Sequence, residues 1–507
     1  MVDNSNTAAE GDGDNGADEV SDSNLGRATL SAGAYTMVSQ FVMTCVRTIG
    51  LMVLARIIIP ADFGLVAQVA AIVGLTNLIG DFGISVPIIQ SRHLSQRQLS
   101  SLFWVTIGVG LTLAVVVGLA APLIAWLYSD PRVVGVCLIS ALTVLVRSPS
   151  TQFTALLRRR LRFDRLAVVE ISAAVFGVAC AIALSRFGYW ALVTQSLASG
   201  FVLSLGAWWA CGWSPDFYCS LSEVRDKLKM GGNFTAGSIL NYFARNGDNI
   251  LIAKYWGPTE VGLYAKAYGL LVLPLQQIAG PMGRVAVPAL SRLQGQPERY
   301  RQFFRKGCTI AFVLQVPVTI FAAFAGREIV LTLLGPTWLA AVPIFFALVP
   351  NLFVSTTSPA TTWVFLSRGE TDRWLILVAV NSLLILIGFA IGVQYGAIGV
   401  AWSFSIVTCL IRIPSILYCF KPTPLSLRDF FPLMIPSVVC SGIAMAGGYL
   451  LIQWLPAVPA PALLLIKAVV FFVIYLIAIQ RTESGRICYE TVQPHLPAFA
   501  KRSLGMS

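Results

Sequence analysis

Apolar residues along this chain gather in unbroken windows of about 20 residues, the length that crosses roughly 30 Å of hydrocarbon, separated by short polar connections. The windows fall near 33–54, 63–89, 102–127, 133–157, 166–185 and 189–211. A second set lies near 230–253, 261–283, 307–334, 338–366, 374–393 and 397–418, and a last pair near 431–452 and 461–480. The pattern predicts an all-α polytopic membrane protein with about fourteen transmembrane helices. It divides into an N-lobe at 28–215, a C-lobe at 216–420, two extra helices within 421–480, and polar tails at 1–27 and 481–507.

The two lobes repeat one another. Sliding RTIGLMVLARIIIPADFGLVA (47–67) onto RNGDNILIAKYWGPTEVGLYA (245–265) without a gap matches Arg47 with Arg245, Arg56 with Lys254, Pro60 with Pro258, Gly64 with Gly262 and Leu65 with Leu263. SPSTQFTALLRR (148–159) pairs with SPATTWVFLSRG (358–369), and FGYWALV (187–193) with YGAIGVA (395–401). Ordered anchors at similar offsets imply duplication of a six-helix unit in one orientation, a parallel repeat.

Composition agrees: the 507 residues are 56% hydrophobic and 12% charged, more apolar surface than a soluble core can hide. The net charge of +12 has no soluble basic face to sit on, which argues against nucleic acid. Membrane topology accounts for it. With the N-terminus in the cytoplasm, 25 of the 36 Lys and Arg fall in cytoplasmic segments, whereas the opposite side holds only Arg56, Arg132, Arg186, Lys254 and Arg327. That asymmetry puts both termini inside. The densest run, Arg158, Arg159, Arg160, Arg162 and Arg165, reads as a topogenic clamp at the lipid surface, with substrate capture as the alternative. Residues 1–24 carry seven carboxylates and no cation, so the N-terminal segment reads as a disordered acidic tail, not a cleavable signal peptide. The ten cysteines form no CxxC pair and read as small buried hydrophobes. His93 and His495 stand apart from any metal-ligand spacing, so neither metal nor other cofactor is expected.

Six cations remain within or at the ends of spans: Arg47, Arg147, Arg245, Lys266, Arg412 and Lys467, against the carboxylates Asp81, Glu170 and Asp248. A charge at the bilayer centre costs roughly 2.5–3.5 kcal/mol on insertion scales, so it normally faces a bundle interior or a wet cavity. Gln40, Thr44, Arg47 and Thr48 share one face of the first span. Ser238, Asn241, Tyr242, Arg245, Asp248 and Asn249 do so in the seventh, and Thr143, Arg147, Ser150, Thr151 and Thr154 in the fourth. These stripes could line one aqueous cleft between the lobes. Arg245 and Asp248, at i and i+3, could instead neutralise each other, but Arg47 has no such neighbour. Cations outnumber carboxylates, and the excess asks for an anion such as a phosphate or uronic acid, which a guanidinium binds with a planar fork of donors. The expected anion site is Arg47, Arg147, Arg245 and Lys266, with Gln40, Thr44, Asn241 and Asn249 as polar lining and Asp248, Asp81 and Glu170 as ion-coupling candidates. Lys467, and equally Arg412, reads as a snorkelling residue.

Three stretches carry a family likeness: LARIIIPADFGLVAQVAAIVGLTNLIGDFGISVPIIQSRHLSQRQLSSLFW, RNGDNILIAKYWGPTEVGLYAKAY and LLVLPLQQIAGPMGRVAVPALSRLQ. Over about residues 28–420 the chain resembles the Wzx-type oligosaccharide flippases, in the colanic-acid-exporter-like branch of the polysaccharide transporter family and the superfamily of the MATE drug antiporters. The resemblance implies a multi-pass protein of the bacterial inner membrane whose two lobes rock about a cationic cavity. It implies a substrate, an undecaprenyl-pyrophosphate-linked oligosaccharide, moved between leaflets for exopolysaccharide, capsule or O-antigen assembly. It also implies an ion gradient as the driving force and a polysaccharide polymerase and glycosyltransferases as neighbours. The alternatives are a drug or cation antiporter, which would favour a carboxylate-rich cavity, and a non-transporting scaffold, in which intramembrane charges would be dispensable. An enzyme is disfavoured by the lack of paired carboxylates or histidines.

Overall fold

The structure, a computed structural model, describes residues 22–91, 94–454 and 458–492. Among them every regular element is helical. Lipid dictates this, since hydrocarbon offers no partner to a backbone amide and a helix satisfies its own. The first group is α1 (Asp22–Ile57), α2 (Pro60–Gln90), α3 (Gln96–Tyr128), α4 (Arg132–Arg159), α5 (Phe163–Ala183) and α6 (Tyr189–Cys211). The second is α7 (Leu221–Arg292), α8 (Pro297–Leu333), α9 (Ala341–Ser355), α10 (Ser358–Arg368), α11 (Thr371–Gly392) and α12 (Gly396–Phe420). The short α13 (Leu427–Phe430), α14 (Ile435–Ile452), α15 (Ala460–Gln480) and α16 (Glu483–Val492) follow. His93, His495 and the acidic segment before residue 22 lie outside the described residues.

Eleven stretches among the described residues are long and apolar enough to cross a membrane, where the hydropathy windows expect fourteen. Thr371–Phe420 is one stretch of 50 residues, but it turns back at Val393–Tyr395, where Gly396 at φ 79° reverses the chain and α12 returns along α11. Asn246–Arg292 is likewise one stretch interrupted at Gly257, whose φ 81° and ψ −176° are open only to glycine. Pro258 then starts the next helical segment, where its missing N–H costs nothing. Pro60–Thr76 is a shorter apolar stretch at the start of α2, which runs on to Gln90.

Within the first group α1 lies on α5, α5 on α6, and α4 on both α3 and α6. The second is centred on α7, which touches α8, α9, α10, α11 and α12. The groups meet chiefly along α2 and α7, and there the repeat becomes physical. The matched glycines face each other: a Cβ on Gly64 would fall 1.6 Å from the Pro258 carbonyl oxygen, and one on Gly262 would fall 2.2 Å from that of Pro60. Only glycine lets two backbones close to that separation. The matched cations behave reciprocally. Arg56 donates to the carbonyl of Thr332 at 3.1 Å in the last turn of α8, and Lys254 donates to that of Leu127 in the last turn of α3. Each cation thereby satisfies an orphan carbonyl at the negative end of a helix in the other group. Trp338 adds a buried donor to the Ala55 carbonyl at 2.8 Å. This end of the bundle is closed.

The last helices pack on α8 through Val313, Cys440, Ala444, Phe471 and Tyr475, with the Tyr475 hydroxyl donating to the Val313 carbonyl at 2.7 Å. Lys467 does not snorkel as expected. Its Nζ lies 2.9 Å from a Glu328 carboxylate oxygen and 4.8 Å from the centroid of the Phe324 ring, an ion pair that ties α15 to α8 inside the protein. All ten cysteines are free; Cys219 and Cys409 are exposed, the other eight partly or fully buried.

Candidate functional site

A cavity of about 580 Å³ opens among α1, α4, α5 and α6, and its wall is polar. Arg47 enters from α1, Arg147 and Arg158 from α4, and Arg284 from α7, while Glu170 of α5 is the carboxylate among the lining residues. Arg158 reaches Glu170 at 3.5 Å. No carboxylate lies within ion-pairing distance of Arg47, Arg147 or Arg284 among the described residues. Gly200 makes room for one of them: a Cβ there would stand 2.7 Å from Cγ of Arg147. Small residues, Ala173, Ala174, Ser196 and Ser199, make up part of the remaining lining. Gln40 and Ser39 extend the polar wall along α1. Thr44, one turn on, accepts from Gln277 Nε2 of α7 at 3.0 Å, a bond between the two helix groups.

The arginine run at the α4–α5 connection splits by function. Arg159 donates to the Ile88 carbonyl of α2 at 2.8 Å, Arg160 to Cys211 of α6 at 2.9 Å and Arg165 to Ala210 of α6 at 3.0 Å. These three cap the carboxyl ends of neighbouring helices. Arg158 alone of the run lines the cavity.

A second chamber of about 780 Å³ shares Arg47, Gln195 and Ser196 with the first. It is mostly apolar, and its own cation is Lys266, whose Nζ sits 4.3 Å from the centroid of Phe63. A cation over an aromatic face keeps part of its stabilisation without a counter-ion.

The third cavity, about 920 Å³, lies among α7, α8, α9, α10, α11 and α12 and touches the first at Arg284. Amides and hydroxyls supply its polar atoms: Gln276, Gln315, Asn351, Asn381, Thr408 and Ser415. Asp248 lines it too and is 2% exposed; it accepts from the Tyr264 hydroxyl at 2.9 Å and from the Asn249 amide at 2.7 Å. Arg412 also faces it, donating to Thr357 at 2.5 Å and Thr361 at 3.5 Å. It is thus an anchored cavity residue and not the snorkelling one expected.

The sequence reading expects one cleft lined by three polar stripes. The stripes of α1 and α4 do converge, through Arg47 and Arg147. Of the α7 stripe, Asp248 lines the third cavity and not the first. The side chains of Arg245, Asn241 and Asp81 lie outside those described. Asn249 lines none of the three cavities; its side-chain oxygen is buried without a hydrogen-bond partner among the described residues. Glu170 faces an arginine across the first cavity. Arg284 was missed: hydropathy ends the eighth span at 283, so it counts as a loop cation, whereas α7 runs on to Arg292. A signal existed, since Gln276, Gly280 and Arg284 recur every four residues along one helix face.

The chain matches the family model described as polysaccharide biosynthesis protein over residues 53–343. It is 27% identical to the lipopolysaccharide biosynthesis protein WzxC of Escherichia coli (strain K12), over 83% of this chain and 89% of that protein. It is 24% identical to the succinoglycan biosynthesis transport protein ExoT of Rhizobium meliloti (strain 1021), over 62% of this chain and 64% of that protein. Among solved structures it is similar to the lipid II flippase MurJ in an inward closed conformation. That match has a TM-score of 0.73 and 14% identity, and it covers 91% of this chain and 99% of that one.

Proposed function

The chain belongs to the polysaccharide biosynthesis protein family, and from that membership we propose that it is a flippase that carries lipid-linked oligosaccharide repeat units across the bacterial inner membrane. One observation carries the reading: Arg47, Arg147, Arg158 and Arg284 line one cavity, where Glu170 is the one carboxylate among the described lining residues. An unpaired guanidinium inside a bundle calls for an anion, and a pyrophosphate joining lipid to sugar presents several oxygens suited to bidentate donors. Both termini are cytoplasmic. The end closed by Arg56, Lys254 and the Gly64–Gly262 crossing is then periplasmic, and the arginine cavity reaches toward the cytoplasmic end, where α4 finishes and α5 begins. Transport proceeds by rocking of the two lobes, 28–215 and 216–420, which opens the glycine crossing and frees both helix-capping cations. The chain acts as a transporter and not as an enzyme, and it works beside glycosyltransferases and a polysaccharide polymerase that supply and consume its cargo. An ion gradient drives the cycle, with Asp248 as the coupling carboxylate.

The test measures surface polysaccharide and cytoplasmic-leaflet lipid-linked repeat units in cells whose copy of the gene is replaced. Arg47→Ala and Arg147→Ala are each expected to cut polysaccharide at least about tenfold, the size of one lost hydrogen bond to a charged group, while lipid-linked units accumulate. Lys at either position keeps charge without the fork and falls between. Wild-type polysaccharide in both alanine variants at normal protein abundance would overturn the reading in favour of a scaffold.

A further inference from the structure

The third cavity has a character of its own, and that character points to a second part of the cargo. Its charged groups are of both signs, Asp248 against Arg412 and Arg284, so it does not compete with the first cavity for a pyrophosphate. Arg412 is already committed to Thr357 and Thr361. What the cavity offers in quantity is neutral donors and acceptors set among apolar and aromatic surface. Gln315 Nε2 and Thr408 Oγ1 are buried and have no hydrogen-bond partner among the described residues, and Gln315 as a residue is 1% exposed. A buried amide left unpaired is costly, and its persistence in a cavity wall is explained when a ligand supplies the missing partner. Asn381 and Ser415, bonded to each other at 3.2 Å, and Asn351 on α9 add further amide and hydroxyl positions.

A sugar presents this complement: hydroxyl groups that both donate and accept around the ring edge, and C–H faces that pack on apolar walls. The volume of about 920 Å³ lies at the upper end of the ~300–1,000 Å³ typical of small-molecule sites, enough for more than one ring. Arg284 stands at the junction, lining both cavities, where a phosphate-linked sugar would pass from one to the other. We propose that the cavity among α7–α12 is a saccharide subsite, with Gln315 and Thr408 as its specificity-determining hydrogen-bonding groups and the arginine cavity as the pyrophosphate subsite beside it. This assignment rests on the flippase reading.

The test uses purified full-length protein in lipid nanodiscs and two probes: bare undecaprenyl pyrophosphate, and the lipid-linked oligosaccharide extracted from cells deleted for this chain. Wild type binds both, the saccharide-bearing lipid more tightly. Gln315→Leu combined with Thr408→Val is expected to weaken the saccharide-bearing lipid by about tenfold or more, down to the affinity of the bare lipid, and to leave the bare lipid unchanged. Because the substitutions remove unpaired polar atoms, the unliganded protein keeps a thermal midpoint no lower than wild type. The near-isosteric Thr408→Val alone shows a smaller loss in the same direction. Equal binding of the two lipids by wild type, retained discrimination in the double variant, or a parallel loss for both lipids each overturns the subsite. Failure of wild type to bind either lipid removes the flippase reading itself, and with it this proposal.

Discussion

The cavity among α1, α4, α5 and α6 and the cavity among α7–α12 come from halves of the chain that repeat one another, yet their walls have diverged. Arg158 and Arg368 are matched positions of the repeat. Arg158 lines the first cavity, with its side chain 48% exposed. Arg368 is bound into a connection by Glu370 at 2.7 Å, with Arg373 on the same carboxylate at 2.5 Å. The matched pairs Pro60 with Pro258, Gly64 with Gly262 and Arg56 with Lys254 sit where the halves touch. Closing one end about a pseudo-two-fold axis needs the same small residues and the same capping cations from each side. The interior walls are under no such mutual constraint and are free to differ.

The largest effect expected on this contrast comes from Arg284, the residue shared by both cavities. Arg284→Glu replaces a charge-assisted donor, worth about 1.5–3 kcal/mol, with a like charge facing the anion. Export should fall to background, and binding of bare and saccharide-bearing lipid should be lost together; retention of either would separate the two cavities. Asp248→Asn comes next. It keeps the shape of a side chain buried against Tyr264 but removes its ability to exchange a cation. Transport assayed across an imposed pH or sodium gradient should lose its dependence on that gradient while lipid binding stays within twofold of wild type; unchanged gradient dependence would remove Asp248 from coupling. The smallest is Glu170→Gln. Its partner Arg158 is half exposed and 3.5 Å away, and such pairs contribute about 0–1 kcal/mol. Export should change by less than about fivefold, and a complete loss would make Glu170 the coupling carboxylate instead.

How far the site was legible depended on the kind of signal each residue leaves. Arg47 and Arg147 stand alone in apolar windows, where a charge has few tolerable destinations, and both line the cavity. Lys467 gives the same signal for another reason, because its partner Glu328 lies far away in sequence on α8. Arg284 was hidden by a span boundary, since hydropathy averages over a window and a helix extending past the lipid leaves no mark in it. The five-arginine run looked uniform, yet three of its members cap helices and one turns into the cavity, a division set by which carbonyl each guanidinium can reach.

The sequence by itself determined that this is a helical, duplicated membrane protein with surplus positive charge inside, because helical spans, repeats and intramembrane charge are all properties of local composition and spacing. Tertiary structure decided how the interior is lined, with adjoining cavities that share Arg47 and Arg284 but differ in the polar groups each presents. The α7 helix carries Asp248 to one side and Arg284 to the junction, and its break at Gly257 turns the second half of the helix back against α2. That arrangement follows from a crossing in which backbone meets backbone at Gly64 and Gly262, a contact between residues almost two hundred positions apart that no window along the chain can register.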